Sequence, residues 1–450
     1  MRAIVPGDLN SIELDQTRRD RRLLLVLLLV PVLLSLATVW ALDHTRANKS
    51  LFSITNFVGP TTRSLLTGGG ITVCTEEMGT RGNPICFHAA RMPATAVVVA
   101  SGIRLLGDRY IPVVCFKTIL LLLPVEFALY LAWCCLPQPP GRRALTILLL
   151  LVPFLIPAFL ADVTNLQVDE GFSYSFLALG AAILFFGQPG RRTVGTASLH
   201  GTHRALLFAA ALDGLYLSKS GMQLAVLVLL AGFLALEKQT SLRWLVLLLV
   251  AAAPLGWALH QHHASGRYSL GTSFDGINLH KGNNAGFLRN YPPPHGDSLD
   301  WYDFELNRGV SFPDEWSFND YHLRSAFEYL RTHPQETLSG DARKLKILFF
   351  SLEKYGSTAS LGGRRLIEIA GMLAFRLIFW IATASSIFLL LRHRPPADRW
   401  LRVEAATFLA LVAASTLPFL VGFAYTRHVS ILIYPSALFC CRLLCEPERN

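Results

Sequence analysis

The sequence predicts an all-α polytopic membrane protein of about ten transmembrane helices, with surface helices in a first outer loop and a mixed, mainly helical second outer loop. Three observations predict it. Hydrophobic residues make up 52% of the 450-residue chain and charged residues only 16%, and the mean hydropathy is +0.41, a balance typical of membrane-embedded chains. The apolar residues are gathered into runs near the roughly 20 residues that a helix needs to cross a hydrocarbon core. Basic residues stand in short clusters between alternate runs, the bias that orients polytopic proteins.

Each run takes its place in turn. Leu23–Leu42 follows Arg18, Arg19, Arg21 and Arg22, which puts the N-terminus inside. At about 20 residues it exceeds a signal-peptide core and reads as an anchor, although Val39 and Ala41 would suit a signal peptidase. Ile111–Cys135 and Ala144–Ala161 flank Arg142 and Arg143, and Gly171–Gly187 and Arg204–Leu217 flank Arg191 and Arg192. Gly221–Leu236 and Leu242–His260 flank Lys238, while Leu366–Leu391 and Leu401–Gly422 flank Arg392, Arg394 and Arg399. Val429–Leu444 returns the C-terminus to the inside. All these clusters fall on one side, so the formal net charge of +10 reports orientation in a membrane, not a nucleic-acid partner.

Residues 1–260 thus form an N-terminal transmembrane module holding the first outer loop (43–110), 261–365 an extracytoplasmic region, and 366–450 the C-terminal transmembrane helices. In the first loop Met92–Gly107 is apolar but short, and reads as a helix lying at the membrane surface. Counting it as a crossing would put Arg142, Arg143, Arg191 and Arg192 outside. In the second, Phe318–Arg331 has helical spacing and stops before Pro334, and Lys344–Leu352 reads as a further surface helix. Cys74 and Cys86 share the first outer loop, where an oxidising compartment can join them. Cys134, Cys135, Cys440, Cys441 and Cys445 fall at inner ends as packing residues, and no zinc spacing occurs.

The polar landmarks are more telling than any single run. Arg91-Met92-Pro93, Asp162, Asp169-Glu170, Ser218-Lys219-Ser220, Gly276–Asn284, the stretch around Trp301, and Arg427-His428 all fall at outer ends or in outer loops. Charges of both signs on one face of a lipid-embedded bundle point to chemistry on a lipid-borne substrate. Within the runs, Lys117, Glu126, Asp213 and Arg376 are costly in lipid and are expected to pair between helices.

At these landmarks the chain resembles the C-type membrane glycosyltransferases, the superfamily of protein mannosyltransferases and of the aminoarabinose transferase acting on lipid A. Ala90-Arg91-Met92-Pro93 stands where the family has a basic-x-Pro motif, with Leu105-Leu106-Gly107 after it. Asp169-Glu170 opens the fourth run, Ser218-Lys219 follows the fifth, and Gly276-Ile277-Asn278-Leu279 with Gly282-Asn283-Asn284 follows the seventh. Arg427-His428 with Pro435 is similar to a late motif of the same family.

The resemblance implies a membrane-integral glycosyltransferase of the cell (inner) membrane, active on its extracytoplasmic face. It would pass a sugar from a polyprenyl-phosphate donor to a glycan, lipid or protein hydroxyl. Arg91, Lys219 and Arg427 are the expected cations for the donor phosphate. The acceptor proton needs a carboxylate, and the family takes it from the first outer loop. Here Thr55-Asn56 stands where that acid is expected, which leaves Glu76, Glu77 and Asp43 as candidates. Asp169 and Glu170 are expected to bind the sugar or a divalent ion, or to act as base themselves. Asn283, Asn284 and His428 are expected on the substrate, with Trp301, Tyr302 and Trp316 able to stack on sugar rings. No cofactor is required, though there is room for a divalent cation. Two other readings share the landmarks: a transporter or flippase for a lipid-linked or anionic substrate, with a proton path through Glu126 and Asp213, and a lipid-linked oligosaccharide ligase or polymerase.

Overall fold

The computed structural model describes residues 6–44, 58–80, 83–135, 140–156, 159–160, 164, 170–187, 201–287, 306–307, 309–352, 362–392 and 399–445. Away from water, peptide N–H and C=O groups must be bonded within the chain, so apolar runs become helices. Helices α1 (Pro6–Asp43), α4 (Tyr110–Trp133), α5 (Pro140–Leu151), α6 (Glu170–Phe186), α7 (Gly201–Ser218) and α8 (Gln223–Leu236) carry the first six runs. The seventh is two helices, α9 (Thr240–Val250) and α10 (Ala252–Ser265), which meet at Ala251. Pro254 falls in the first turn of α10, where its missing N–H breaks no bond. Helices α14 (Gly362–Leu391), α15 (Arg399–Val421) and α17 (Ile433–Leu444) carry the remaining three.

Among the described residues five segments are long and apolar enough to cross a membrane: Asp20–Leu42, Tyr110–Trp133, Thr240–Ser265, Ile369–Leu391 and Arg399–Val421. Glu170–Phe186 is apolar but shorter among the described residues. Between Glu170 and Phe186 nearly every residue is buried, among them Tyr174, Ala178 and Ala182, because α4, α7, α8 and α17 surround this helix. Helix α6 is therefore the centre of the bundle, and its first residue, Glu170, opens at one end of it.

The other end carries buried ion pairs. Arg204 in the first turn of α7 pairs with Glu237 beyond the end of α8. Arg442 in the last turn of α17 lies 3.0 Å from Glu404 near the start of α15. Of the charges expected to pair within the runs, Arg376 donates from Nη2 to the Ser351 carbonyl at 3.1 Å. Asp213 Oδ1 is buried with no hydrogen-bond partner among the described residues. Glu126 has no hydrogen-bond partner on either oxygen among the described residues.

The loop segments expected as surface helices are helical, as α3 (Ala94–Leu106), α12 (Glu315–Thr332) and α13 (Pro334–Phe350), preceded by short α2 (Val58–Leu66) and α11 (Asp275–Lys281). Asp314 caps α12 by accepting the N–H groups of Trp316 and Ser317 at 2.8 Å. An all-α reading is corrected in one place. β1 (Val73–Thr80) and β2 (Asn83–Phe87) form an antiparallel hairpin, with Cys74 opposite Cys86 and a disulfide joining them. Its alternation puts Ile85 and Phe87 into a cluster with Phe312 and Phe318 from the second loop, Phe87 meeting Phe318 edge-on at 5.4 Å. The two outer loops thus share one small core.

Candidate functional site

Three chain segments meet at the Glu170 end of α6. The first is Glu170, placed at a helix N-terminus where negative charge is favoured. The second is the turn between α7 and α8. Ser218 ends α7 by donating to the Leu215 carbonyl, and Lys219 takes an extended backbone before a short 3-10 turn, Ser220–Met222. The third lies between α15 and α17, where the short helix α16 (Thr426–Ser430) carries Arg427 and His428.

Glu170 Oε1 is the hub. Lys219 Nζ donates to it at 2.5 Å, Arg427 Nε lies 3.5 Å away and His428 Nε2 3.7 Å away. The Glu170 side chain is only 5% exposed, whereas Lys219 and Arg427 are 19% and 21% exposed, so both cations reach the surface from which a ligand would come. The Phe419 ring stacks on His428 at 3.9 Å and lies 5.1 Å from Lys219 Nζ, a cation–π contact that holds both groups. Nδ1 of His428 accepts the Tyr425 backbone N–H at 3.2 Å, so any ring proton of the neutral form sits on Nε2, facing Glu170. Burial and the neighbouring Lys219 cation hold His428 well below the ordinary histidine range, which keeps it neutral. Among the described residues the cluster brings two cations to one carboxylate, and both cations are groups that can hold an anion by charge-assisted hydrogen bonds.

The structure therefore brings together Glu170, Lys219, Arg427 and His428. Arg91 lies in the first outer loop, exposed at a small cavity lined with Val58, Thr61, Ile71, Met92 and Thr95. Asn283 donates to the Leu279 and Val421 carbonyls and Asn284 to those of His280 and Lys281, so these amides hold the loop. Trp316 donates to Ser265 Oγ and lies under Arg267. Glu76 and Glu77 fall on β1 and Asp43 ends α1, but their side chains lie outside the described residues, as do Asp169, Trp301 and Tyr302. Among the described residues no three His, Cys, Asp or Glu side chains gather as metal ligands would.

Two positioning carboxylates escaped the sequence reading. Asp275 accepts Ser220 Oγ at 2.8 Å and the N–H and hydroxyl of Thr272, tying α11 to the turn that presents Lys219. Burial raises its pKa above the usual aspartate range, and these three donors pull it back. Glu315 Oε2 accepts the backbone N–H groups of His88 and Ala89, both at 3.0 Å. The carbonyls of the same two residues are taken by Gln261 Nε2 and Ser273 N–H. Every main-chain polar group of that dipeptide is thus held from the second loop, two residues before Arg91. A lone Asp before a glycine, or a Glu in a first helical turn, carries no sequence signal for such contacts.

His280 of α11 and His322 of α12 face each other with Nδ1 atoms 2.8 Å apart, and His322 Nε2 donates to Asn307 Oδ1 at 2.9 Å. One proton serves both Nδ1 atoms, so the pair is neutral. Burial lowers His280 to about 4; burial, with His280 and Lys281 nearby, lowers His322 to about 3. The opened state binds protons from about pH 6.5 downwards while the folded pair refuses them. Stability is therefore full above pH 6.5 and falls as the pH drops towards 4 and 3. Amide hydrogen exchange in α12, corrected for its intrinsic rate, should speed up by about 100-fold or more between pH 7 and pH 5, roughly 25-fold for each histidine; a flat profile would show that the pair does not titrate with opening.

No protein-family model, curated protein or solved structure matches this chain.

Proposed function

We propose that the protein is a membrane-integral glycosyltransferase that moves a sugar from a polyprenyl-phosphate donor to a hydroxyl of an extracytoplasmic glycan, lipid or protein. In this reading ten helices cross the inner membrane from a cytoplasmic N-terminus, and the Glu170 end of the bundle faces outward. The observation that carries it is the convergence of Lys219 and Arg427 on Glu170 from three distant segments. Both cations sit at the end of the bundle, where a lipid-borne phosphate would meet them while its chain stays in lipid.

The donor phosphate takes over the contacts that Lys219 and Arg427 make with Glu170, and His428 turns its Nε2–H to the same oxygens. The acceptor oxygen attacks the anomeric carbon, the carbon–oxygen bond to phosphate breaks, and polyprenyl phosphate leaves with the electron pair. The acceptor proton passes to a carboxylate, with Glu76, Glu77 and Asp43 as candidates. Arg91 provides a further anion contact at the first-loop cavity.

The test is transfer itself. Purified protein in proteoliposomes would be given radiolabelled polyprenyl-phosphate mannose, glucose, galactose or aminoarabinose, with envelope extract as acceptor outside. Labelled acceptor and released polyprenyl phosphate are expected in equal amounts. Label that crosses the bilayer with its donor bond intact would overturn the reading in favour of a transporter or flippase. That second reading draws on Glu126, whose carboxylate lies within α4 with neither oxygen hydrogen-bonded among the described residues, as an intramembrane proton carrier would.

A further inference from the structure

Helix α13 ends beside the middle of an apolar segment, not at its edge. Its Lys344 Nζ donates to the Leu420 carbonyl at 2.9 Å, one residue from the end of α15. That contact sets this turn of α13 level with the end of a membrane-length helix. Further along, Phe349 meets Phe379 with ring centroids 5.7 Å apart, and Phe350 meets Trp380 at 5.6 Å. Phe379 and Trp380 are central in the segment Ile369–Leu391, roughly 15 Å from either end at about 1.5 Å per residue. Arg376, in the same segment, donates to the carbonyl of Ser351, the C-cap of α13. A cation at a helix C-terminus is favourable and satisfies a carbonyl that the helix leaves over. An arginine that would be costly in lipid thus caps a helix that descends beside it.

The two faces of α13 differ. Gly340, Lys344 and Leu348 are buried against the protein. Leu338, Ala342 and Leu345 are exposed and Phe349 is half-buried, a spacing of i, i+4, i+7 and i+11 that draws one stripe along the helix. Leu338 is 70% exposed and Phe350 64%. On α14, whose Phe379 and Trp380 meet the tip of α13, Leu373, Leu377 and Ile381 are exposed as well and belong to the membrane-length segment. Water does not stably cover an apolar surface of this extent.

We propose that α13 is embedded tip-first in the leaflet on the side of the Glu170–Lys219 cluster, its Leu338–Ala342–Leu345–Phe349 stripe covered by acyl chains. Exposed Lys346 reaches up to the headgroup phosphates. The Lys344–Leu420 contact then fixes the end of α15, and with it the turn bearing Arg427 and His428, at a set depth below the headgroup plane. The inference is independent of the reaction proposed for the cluster.

The experiment places the photoreactive residue p-benzoylphenylalanine singly at Leu345, Phe350, Leu338 and Gln335 in the full-length protein, reconstituted in phosphatidylcholine–phosphatidylglycerol nanodiscs. All four sites are exposed, so the side chain fits. A fifth variant at Leu255, 61% exposed in the segment Thr240–Ser265, serves as the lipid-facing reference. Mass analysis after illumination should show lipid adducts at Leu345 and Phe350 within about three-fold of those at Leu255, fewer at Leu338 and none at Gln335. Absence of lipid adducts at Leu345 and Phe350, with Leu255 labelled, would overturn the proposal. Cross-links from these two positions to another copy of the chain would replace lipid by a dimer contact. Absence at Leu255 as well would remove it together with the membrane-crossing reading.

Discussion

Replacing Lys219 with methionine is expected to slow sugar transfer about 30- to 1000-fold, the consequence of losing about 2–4 kcal/mol of charge stabilisation at a leaving phosphate. The same substitution also strips Glu170 of its nearest cation, and a buried carboxylate left without its partner destabilises the fold. Arg427, 3.5 Å from Glu170, offsets only part of that loss. The two effects separate in a double variant. Glu170→Gln removes the charge that needed a partner, so Lys219→Met with Glu170→Gln should recover thermal stability while transfer stays slow. Recovery of both would show that Lys219 serves only the ion pair. Lys219→Arg should keep the pair and part of the rate, since charge survives while geometry changes. Initial rates with polyprenyl-phosphate sugar and melting temperatures in the same detergent supply both readouts.

How much of this was legible depends on what kind of contact is involved. Apolar runs and their basic flanks are properties of composition and spacing, and each run predicted from them is mainly helical where it is described, the third passing into a 3-10 turn at Val152–Leu155. The cluster was legible as a list, because Glu170, Lys219, Arg427 and His428 interrupt or border apolar stretches that leave little other room for charge. What the sequence could not supply was the hub. Nothing local distinguishes Glu170 from Asp169, and only the central burial of α6 turns its carboxylate towards cations from two other turns. The β-hairpin escaped for a related reason. Residues 73–87 hold Gly79, Asn83 and Pro84, with charged side chains between, and their strand form rests on Cys74 opposite Cys86 and on Phe87 packing against a second-loop helix. Asn283 and Asn284, expected on the substrate, donate their amide N–H groups to the loop's own carbonyls and to the end of α15, because a short helix leaves carbonyls to satisfy.

Among the described glycines, Gly282→Ala should be the most damaging single methyl. A Cβ built there falls 1.7 Å from the Gly422 carbonyl oxygen, 2.3 Å from its carbon and 3.0 Å from the Phe423 nitrogen. All three are main-chain atoms, so no rotamer change relieves the clash and one segment must move away from the other. Both segments matter to the site. Gly282 ends α11, which holds Ser220 through Asp275, and Gly422 begins the turn that leads to Arg427 and His428. The substitution is therefore expected to cost more than about 3 kcal/mol, in the range of severe overpacking, and to part Lys219 from Arg427. Gly256→Ala is the matched control, since a Cβ at that helical position meets nothing within 4 Å. The melting temperature should fall steeply for Gly282→Ala and stay level, or rise slightly, for Gly256→Ala, where alanine has the higher helix propensity. Equal melting temperatures would mean that α11 and the α15–α16 turn do not touch in solution, and the shared site would lose one of its walls.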